Sequence, residues 1–320
     1  MTKKKAILLD LNMDSITSDV LFREAFKGFD VINWANPDER NADLSTVQYA
    51  VVWKPEPGLL ARCKNLEVIF YGGAGVDYAL KDPTLPDLPL ARFVDPSLTN
   101  AMVEWVILQV LMHTRHQRAY TINQSKEIWQ ELPQHLARDF RVGLMGFGEL
   151  GQACATVLLA LGFEINAWSR TSKIMPGISC FTGEAQKNDF LRQTDILVSL
   201  LPLTPATSGI LNSSLFEKLA TDGPFNAPIL INAGRGGSQV DLDIHDALNN
   251  GTLFAASLDV FEEEPLPRSH LLWKCDNLYI TPHTAALSDP PSLAAQVSRQ
   301  LERLEQGLPP EHLVDRSRGY

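Results

Sequence analysis

The run from Arg141 to Leu161 leaves little freedom of fold. It reads RVGLMGFGELGQACATVLLAL: a short β-prone segment, then Gly146-Phe-Gly148-Glu-Leu-Gly151, then apolar residues at helical spacing. Glycines in this spacing, between a strand and a helix, meet three separate steric needs. Gly146 permits a tight turn, Gly148 lets backbone approach a pyrophosphate, and Gly151 lets the helix pack on the strand, while the helix N-terminus presents N–H groups to the anion. Alone, such a match is weak evidence. Here a second strand-like run ends at Trp168, in register with the first turn, so the spacing predicts a dinucleotide-binding α/β domain.

Further β-rich runs recur with helical stretches between them, the pattern of parallel sheets covered by helices. One group comprises Ala6 to Asp10, Tyr49 to Trp53 and Glu67 to Tyr71. A second begins at Arg141 and continues through Phe163 to Trp168, Asp195 to Leu200, Pro228 to Ala233, Leu253 to Val260 and Leu278 to Thr281. At 320 residues the chain is long enough for two domains, given roughly 150 residues per domain. Leu98 to Arg118 carries Met102, Trp105, Val106, Leu108, Gln109 and Met112 at helical spacing and reads as a long connecting helix. Thr121 to Asp139 is polar and reads as a loop or arm around Trp129. Ser292 to Gln306 is helical and too short for a domain, so it is expected to return to the first sheet. The expected fold is α/β, with two doubly wound parallel-sheet, Rossmann-like domains: residues 1–98 with 288–320 returning to them, and residues 99–287.

The net charge of −10 opposes any sequence-independent attraction to nucleic acid or an anionic membrane. Cys63, Cys154, Cys180 and Cys275 are widely spaced and suggest neither a zinc cluster nor a redox pair. Lys3, Lys4 and Lys5 precede an apolar run, but Asp10 and Asp14 cut it short of a signal peptide, and no run reaches 18 apolar residues. The expected location is the cytoplasm. No P-loop, nucleophile elbow or HExxH motif is present. His113 and His116 lie three apart, with no further ligand set beside them, and read as ordinary helix-face residues.

Three downstream fragments stand at strand ends: Asn232-Ala-Gly-Arg235-Gly-Gly, Leu258-Asp259-Val-Phe-Glu-Glu-Glu264-Pro265, and Thr281-Pro-His283. Each has an ordinary reading, with Arg235 in a surface ion pair, Glu264 in a solvated acidic run and His283 as a strand-end cap. Doubly wound sheets collect ligands outside the carboxyl ends of their strands, so the three ends are expected to converge. An Arg grips a carboxylate with two prongs, and a His exchanges protons near neutral pH. The place where NAD-specific folds carry an acid, about 20 residues after the glycines, reads Trp168-Ser169-Arg170-Thr171-Ser172-Lys173. With no carboxylate to repel a 2′-phosphate, and with Arg170 and Lys173 to attract one, NADP(H) is expected to be preferred over NAD(H).

These motifs, with VVWKPEPGLL, GGAGVD, LLPLTPAT, TPHTAA and the terminal VDRSRGY, resemble the D-isomer-specific 2-hydroxyacid dehydrogenase family along nearly the whole chain. The Trp-Ser-Arg run at 168–170 and the ending are most similar to its glyoxylate/hydroxypyruvate reductase branch. The resemblance implies a dimeric NADPH-dependent reductase of short 2-oxo acids. It implies that Arg235 binds and polarises the substrate, that His283 protonates the carbonyl oxygen and that Glu264 tunes His283. It further implies that backbone N–H groups around Gly73, Ala74 and Gly75 hold the substrate carboxylate. Leu150, Leu201, Pro202 and Ala233 would line the cofactor, and Asp259 would meet the nicotinamide carboxamide. Trp53 and Trp129 are expected to wall the substrate, Trp129 from a partner subunit, or else each packs against its own domain. Two departures stand out. Gly234, where relatives more often carry Ala, is expected to loosen the Arg235 loop, and Trp105, often His in the wider family, is expected to alter only packing. A reductase of bulkier 2-oxo acids and a non-enzymatic dinucleotide-sensing interaction protein are the alternatives.

Overall fold

A computed structural model describes residues 4–316, so Lys3 and the Ser317–Tyr320 end of the terminal motif lie outside the described residues. The chain divides into two compact units. A terminal unit takes the chain up to Leu98 and from Ser288 onward, and a central unit spans Thr99–Leu287.

The terminal unit is built on five parallel strands: β1 (Ala6–Asp10), β2 (Asp30–Asn33), β3 (Val47–Val52), β4 (Val68–Tyr71) and β5 (Leu90–Arg92), in the order β2-β1-β3-β4-β5. The C-terminal helix Pro290–Glu305 joins this unit. Asp289 accepts the Ser292 N–H as its N-cap, and prolines open the first turn, where a missing N–H leaves no bond unmade. Its apolar stripe Leu293, Ala294, Val297 and Leu301 is buried, Ser298 Oγ donates to the Ala25 carbonyl, and Lys5 pairs with Glu305 at 2.7 Å.

The central unit holds seven parallel strands: β6 (Arg141–Met145), β7 (Glu164–Ser169), β8 (Ile178–Thr182), β9 (Ile196–Ser199), β10 (Ile229–Asn232), β11 (Ala255–Leu258) and β12 (Leu278–Ile280). Their order is β12-β11-β10-β9-β6-β7-β8. The β9, β10 and β11 segments are buried at every position, as strands covered on both faces must be. The chain reverses direction of travel across the sheet between β6 and β9, which places a topological switch point at the carboxyl end of the glycine-rich strand.

Three features depart from expectation. Strands β2, β5 and β8 are additional. The connecting helix runs Pro96–Thr114 and stops before Arg118, because His116 takes a left-handed backbone (φ 55°) and starts a second helix, Gln117–Ser125, inside the segment read as an arm. Only residues 126–136 of that segment lack regular structure. His113 and His116 therefore share no helix face. His113 is buried, with Nε2 2.8 Å from Ser257 Oγ.

Burial, with the nearby Arg118 charge, lowers the His113 pKa to about 4. The folded pKa lies below the unfolded one, so from about pH 6.5 down to about 4 the unfolded chain takes up a proton that the folded chain refuses. The His113 contribution to stability is complete above that window and is lost as pH falls through it, at a limit of about 1.4 kcal/mol per pH unit. His113→Gln, which cannot titrate, is expected to flatten the fall in melting temperature between pH 7 and 5; parallel curves for parent and variant would exclude this origin.

Candidate active site

The glycine turn has the geometry that its sequence requires. Gly146 sits at φ +109°, and a Cβ there would lie 3.0 Å from the Leu200 backbone, so the turn is packed against the exit of β9. A Cβ at Gly151 would meet the Gly146 carbonyl oxygen at 2.2 Å, so only glycine lets the helix Glu149–Ala160 start this close to the strand. Gly148 faces open space, with nothing within 4 Å of its Cβ position. These residues fit a dinucleotide: two glycines close the turn and the third leaves room above a helix N-terminus. At the end of β7, Ser169 Oγ donates to the Thr171 carbonyl at 2.8 Å, and Arg170 and Lys173 are exposed. Leu201 and Ala233 are buried, and Pro202 is partly exposed.

The segments leaving β10, β11 and β12 carry Arg235, Glu264 and His283. After β10, fully buried Asn232 accepts the Gly234 N–H (3.0 Å) and donates to Gln239 Oε1 (2.8 Å) and the Arg235 carbonyl (3.3 Å). Gly234 does not loosen this loop. A Cβ there would stand 2.7 Å from the Leu201 carbonyl oxygen, so glycine lets the loop seat closely, and Asn232 holds it. A Cβ at Gly236 would overlap the Phe261 backbone at 1.9 Å, which seats the Arg235 loop directly on the segment leaving β11.

His283 Nδ1 lies 2.8 Å from Glu264 Oε2 and 3.0 Å from Oε1, and Glu264 Oε1 accepts the Phe261 N–H at 3.0 Å. A ring held on one nitrogen by a carboxylate presents the other in a fixed direction. His283 has φ +56°, a region that side chains other than glycine seldom occupy. Asp259, 1% exposed, supplies the constraint. Its carbonyl accepts the His283 N–H (2.8 Å), Oδ1 accepts the Thr281 hydroxyl (2.6 Å) and the Thr284 N–H (2.8 Å), and Oδ2 accepts the Ala285 N–H (3.0 Å). Burial raises the Asp259 pKa, and these donors together with the His283 charge oppose the rise. Sequence reasoning missed the support from Trp105. Its indole N–H donates to Thr281 Oγ1 at 3.2 Å, a bond as well as packing.

Trp53 and Gly73 to Gly75 form a separate group in the terminal unit. The Trp53 ring lies across Gly73, where a Cβ would meet it at 2.0 Å, and stands 5.1 Å from the Tyr71 ring. Trp129 joins neither group. It is fully exposed, although its arm is anchored by His116 Nε2 at 2.7 Å from the Pro133 carbonyl and by the Tyr120 hydroxyl, which accepts the Leu132 N–H at 3.2 Å. Among the described residues, no cluster of His, Cys, Asp and Glu is arranged to hold a metal, and no helix is long and apolar enough to cross a membrane.

Residues 107–285, more than half of the chain, match the NAD binding domain of the D-isomer specific 2-hydroxyacid dehydrogenases. This chain belongs to that family. Glyoxylate/hydroxypyruvate reductase A of Yersinia enterocolitica is 38% identical over 287 residues, covering 88% of this chain and 90% of that one. Among solved structures, the NADPH-dependent glyoxylate/hydroxypyruvate reductase of Sinorhizobium meliloti, in complex with NADP and sulfate, is 48% identical with a TM-score of 0.95, covering 99% of this chain and all of that one. A probable 2-hydroxyacid dehydrogenase of Rhizobium etli, in complex with NADP, HEPES and L(+)-tartaric acid, is 44% identical with a TM-score of 0.91 at the same coverage. The two-sheet α/β architecture expected from the sequence is the family's own.

Proposed function

We propose that this dehydrogenase uses NADPH to reduce short 2-oxo acids, glyoxylate and hydroxypyruvate first among them, to 2-hydroxy acids. The observation that carries the reading is the His283–Glu264 pair, held 2.8 Å apart on strand ends beside the Arg235 loop, in a unit whose glycine turn accommodates a dinucleotide. When bound, NADPH supplies the hydride that adds to the carbonyl carbon. The turn from Gly146 to Gly151 holds the pyrophosphate, and Ser169, Arg170 and Lys173 receive the 2′-phosphate. Arg235 grips the 2-oxo acid and offsets the negative charge that develops on its oxygen, and His283 gives that oxygen a proton through the nitrogen that Glu264 leaves open. Asp259 holds the His283 loop and meets the nicotinamide carboxamide.

Within the terminal unit, the Gly73 to Gly75 loop is suited by its backbone N–H groups to a carboxylate, and the Trp53 ring bounds that loop. Trp129, fully exposed among the described residues, completes the wall in a second copy, so the active form is a homodimer. Four free thiols, three of them buried, suit a reducing cytoplasm.

The test follows NADPH absorbance across a panel of 2-oxo acids. Turnover concentrated on glyoxylate and hydroxypyruvate supports the reading. Turnover only of bulky acids moves the substrate class, and tight NADPH binding with no turnover leaves an interaction protein. In the same assay Arg170→Ala is expected to raise KM for NADPH about 10-fold with little change for NADH. That corresponds to about 1.4 kcal/mol, as expected for a solvent-screened hydrogen bond to a charged group. A parent enzyme that prefers NADH would overturn the cofactor assignment and leave the reductase assignment standing.

A further inference from the structure

We propose that Trp105 is a positioning residue for proton donation: its indole N–H fixes the Thr281 hydroxyl, and through it the Asp259 carboxylate and the loop that carries His283. The inference rests on His283 being the proton donor.

The argument starts from donor and acceptor inventories. An indole N–H can only donate, and a hydroxyl has one hydrogen and two lone pairs. Because Trp105 donates into Thr281 Oγ1 at 3.2 Å, that hydroxyl is filled as an acceptor on one side. Its own hydrogen is directed at Asp259 Oδ1, 2.6 Å away. The carboxylate so oriented accepts the backbone N–H groups of Thr284 and Ala285, the two residues after His283, while the Asp259 carbonyl accepts the His283 N–H. Four bonds thus converge on a loop whose central residue has a left-handed backbone and would otherwise leave that conformation.

The other end of the chain of contacts is rigid. Trp105, Gln109 and His113 recur at every fourth residue along the helix Pro96–Thr114, so they share one face. Ser257 Oγ donates to Gln109 Oε1 at 2.8 Å and lies 2.8 Å from His113 Nε2. All three helix side chains are buried. One helix face therefore holds both β11, two residues before Asp259, and the residue that follows β12, two before His283. The catalytic histidine is aimed from that helix, through Thr281 and Asp259.

The experiment compares Trp105→Phe, Thr281→Val, Thr281→Ser, the double variant Trp105→Phe/Thr281→Val, and His283→Ala in the glyoxylate and NADPH assay. Trp105→Phe keeps the ring and removes the donor. It is expected to lower kcat about 10-fold, the scale of loss for a misdirected reacting group, with the melting temperature close to that of the parent. Thr281→Val is expected to fall at least as far and Thr281→Ser to retain most of the turnover. The double variant is expected to be no worse than Thr281→Val, because both act along one path. Turnover of Trp105→Phe within twofold of the parent would overturn the proposal. So would a double variant whose loss is the product of the two single losses, or Thr281→Ser falling as far as Thr281→Val. His283→Ala separates the two readings: if it alone retains full turnover, the proton-donor assignment fails, whereas silent Trp105 and Thr281 variants beside an inactive His283→Ala remove only the positioning role.

Discussion

His283→Ala is expected to lower kcat for glyoxylate by at least ~100-fold, the low end for loss of a general acid. The ring is the group that Glu264 orients, its Oε2 2.8 Å from His283 Nδ1, and alanine offers no proton in its place. Because φ at His283 is +56°, alanine also carries a backbone cost there, and Asn, which tolerates that region better, is the control. Both variants are expected to lose turnover alike, with Asn keeping the higher melting temperature. NADPH binding is expected to change little in either, since the glycine turn and the Ser169 to Lys173 segment are untouched. Glu264→Gln is expected to cost less: an amide oxygen can still accept the Phe261 N–H, but the charge that steadies the protonated ring is gone. Stopped turnover in His283→Ala with normal NADPH binding is the signature sought. Full turnover in a folded His283→Asn enzyme would end the mechanism.

Arg235→Ala is expected to have an effect of the same size, at least ~100-fold in kcat, the range for removing a preorganised donor to a developing oxyanion. Arg235 stands on a loop whose shape is set from beneath. Buried Asn232 bonds the Gly234 N–H and the Arg235 carbonyl, and Gly236 seats the loop on the Phe261 backbone. The alanine variant is therefore expected to keep its fold and its NADPH affinity. Arg235→Lys is expected to recover only part of the loss, since an ammonium offers a point charge where the guanidinium offers a planar fork. Steady-state kinetics on the three enzymes decide this, and a lysine variant as active as the parent would show that charge alone suffices.

The central nucleotide unit was readable in the sequence because its requirements are local. Gly146, Gly148 and Gly151 answer to backbone sterics within six residues, and strands β9 to β11 are short runs buried on both faces. The strands that escaped notice, β2, β5 and β8, lie at sheet edges, and β8 has no fully buried residue, so no apolar run marks it. Helix Gln117–Ser125 escaped for a related reason. It buries no residue, and its sequence QRAYTINQS offers no apolar stripe. Arg235, Glu264 and His283 were nameable as residue types at strand ends. Their supports were not, because Trp105 with Thr281, and His113 with Ser257, are 176 and 144 residues apart in the chain. A polar bond of that separation leaves no periodic trace.

The terminal unit's split between the two ends of the chain also orders events on the ribosome. Ser288 Oγ donates to the Gly72 carbonyl 216 residues earlier, and Leu293 packs beside the same glycine. At ordinary synthesis rates of 5–20 residues per second, the five strands, once β5 is made, wait about 10–40 s for the helix that covers them. The central unit, drawn from one continuous stretch, is complete before that helix emerges. The apolar face that Leu293, Val297 and Leu301 will cover is thus the last to be closed, which makes it the surface a chaperone would meet first on the nascent chain.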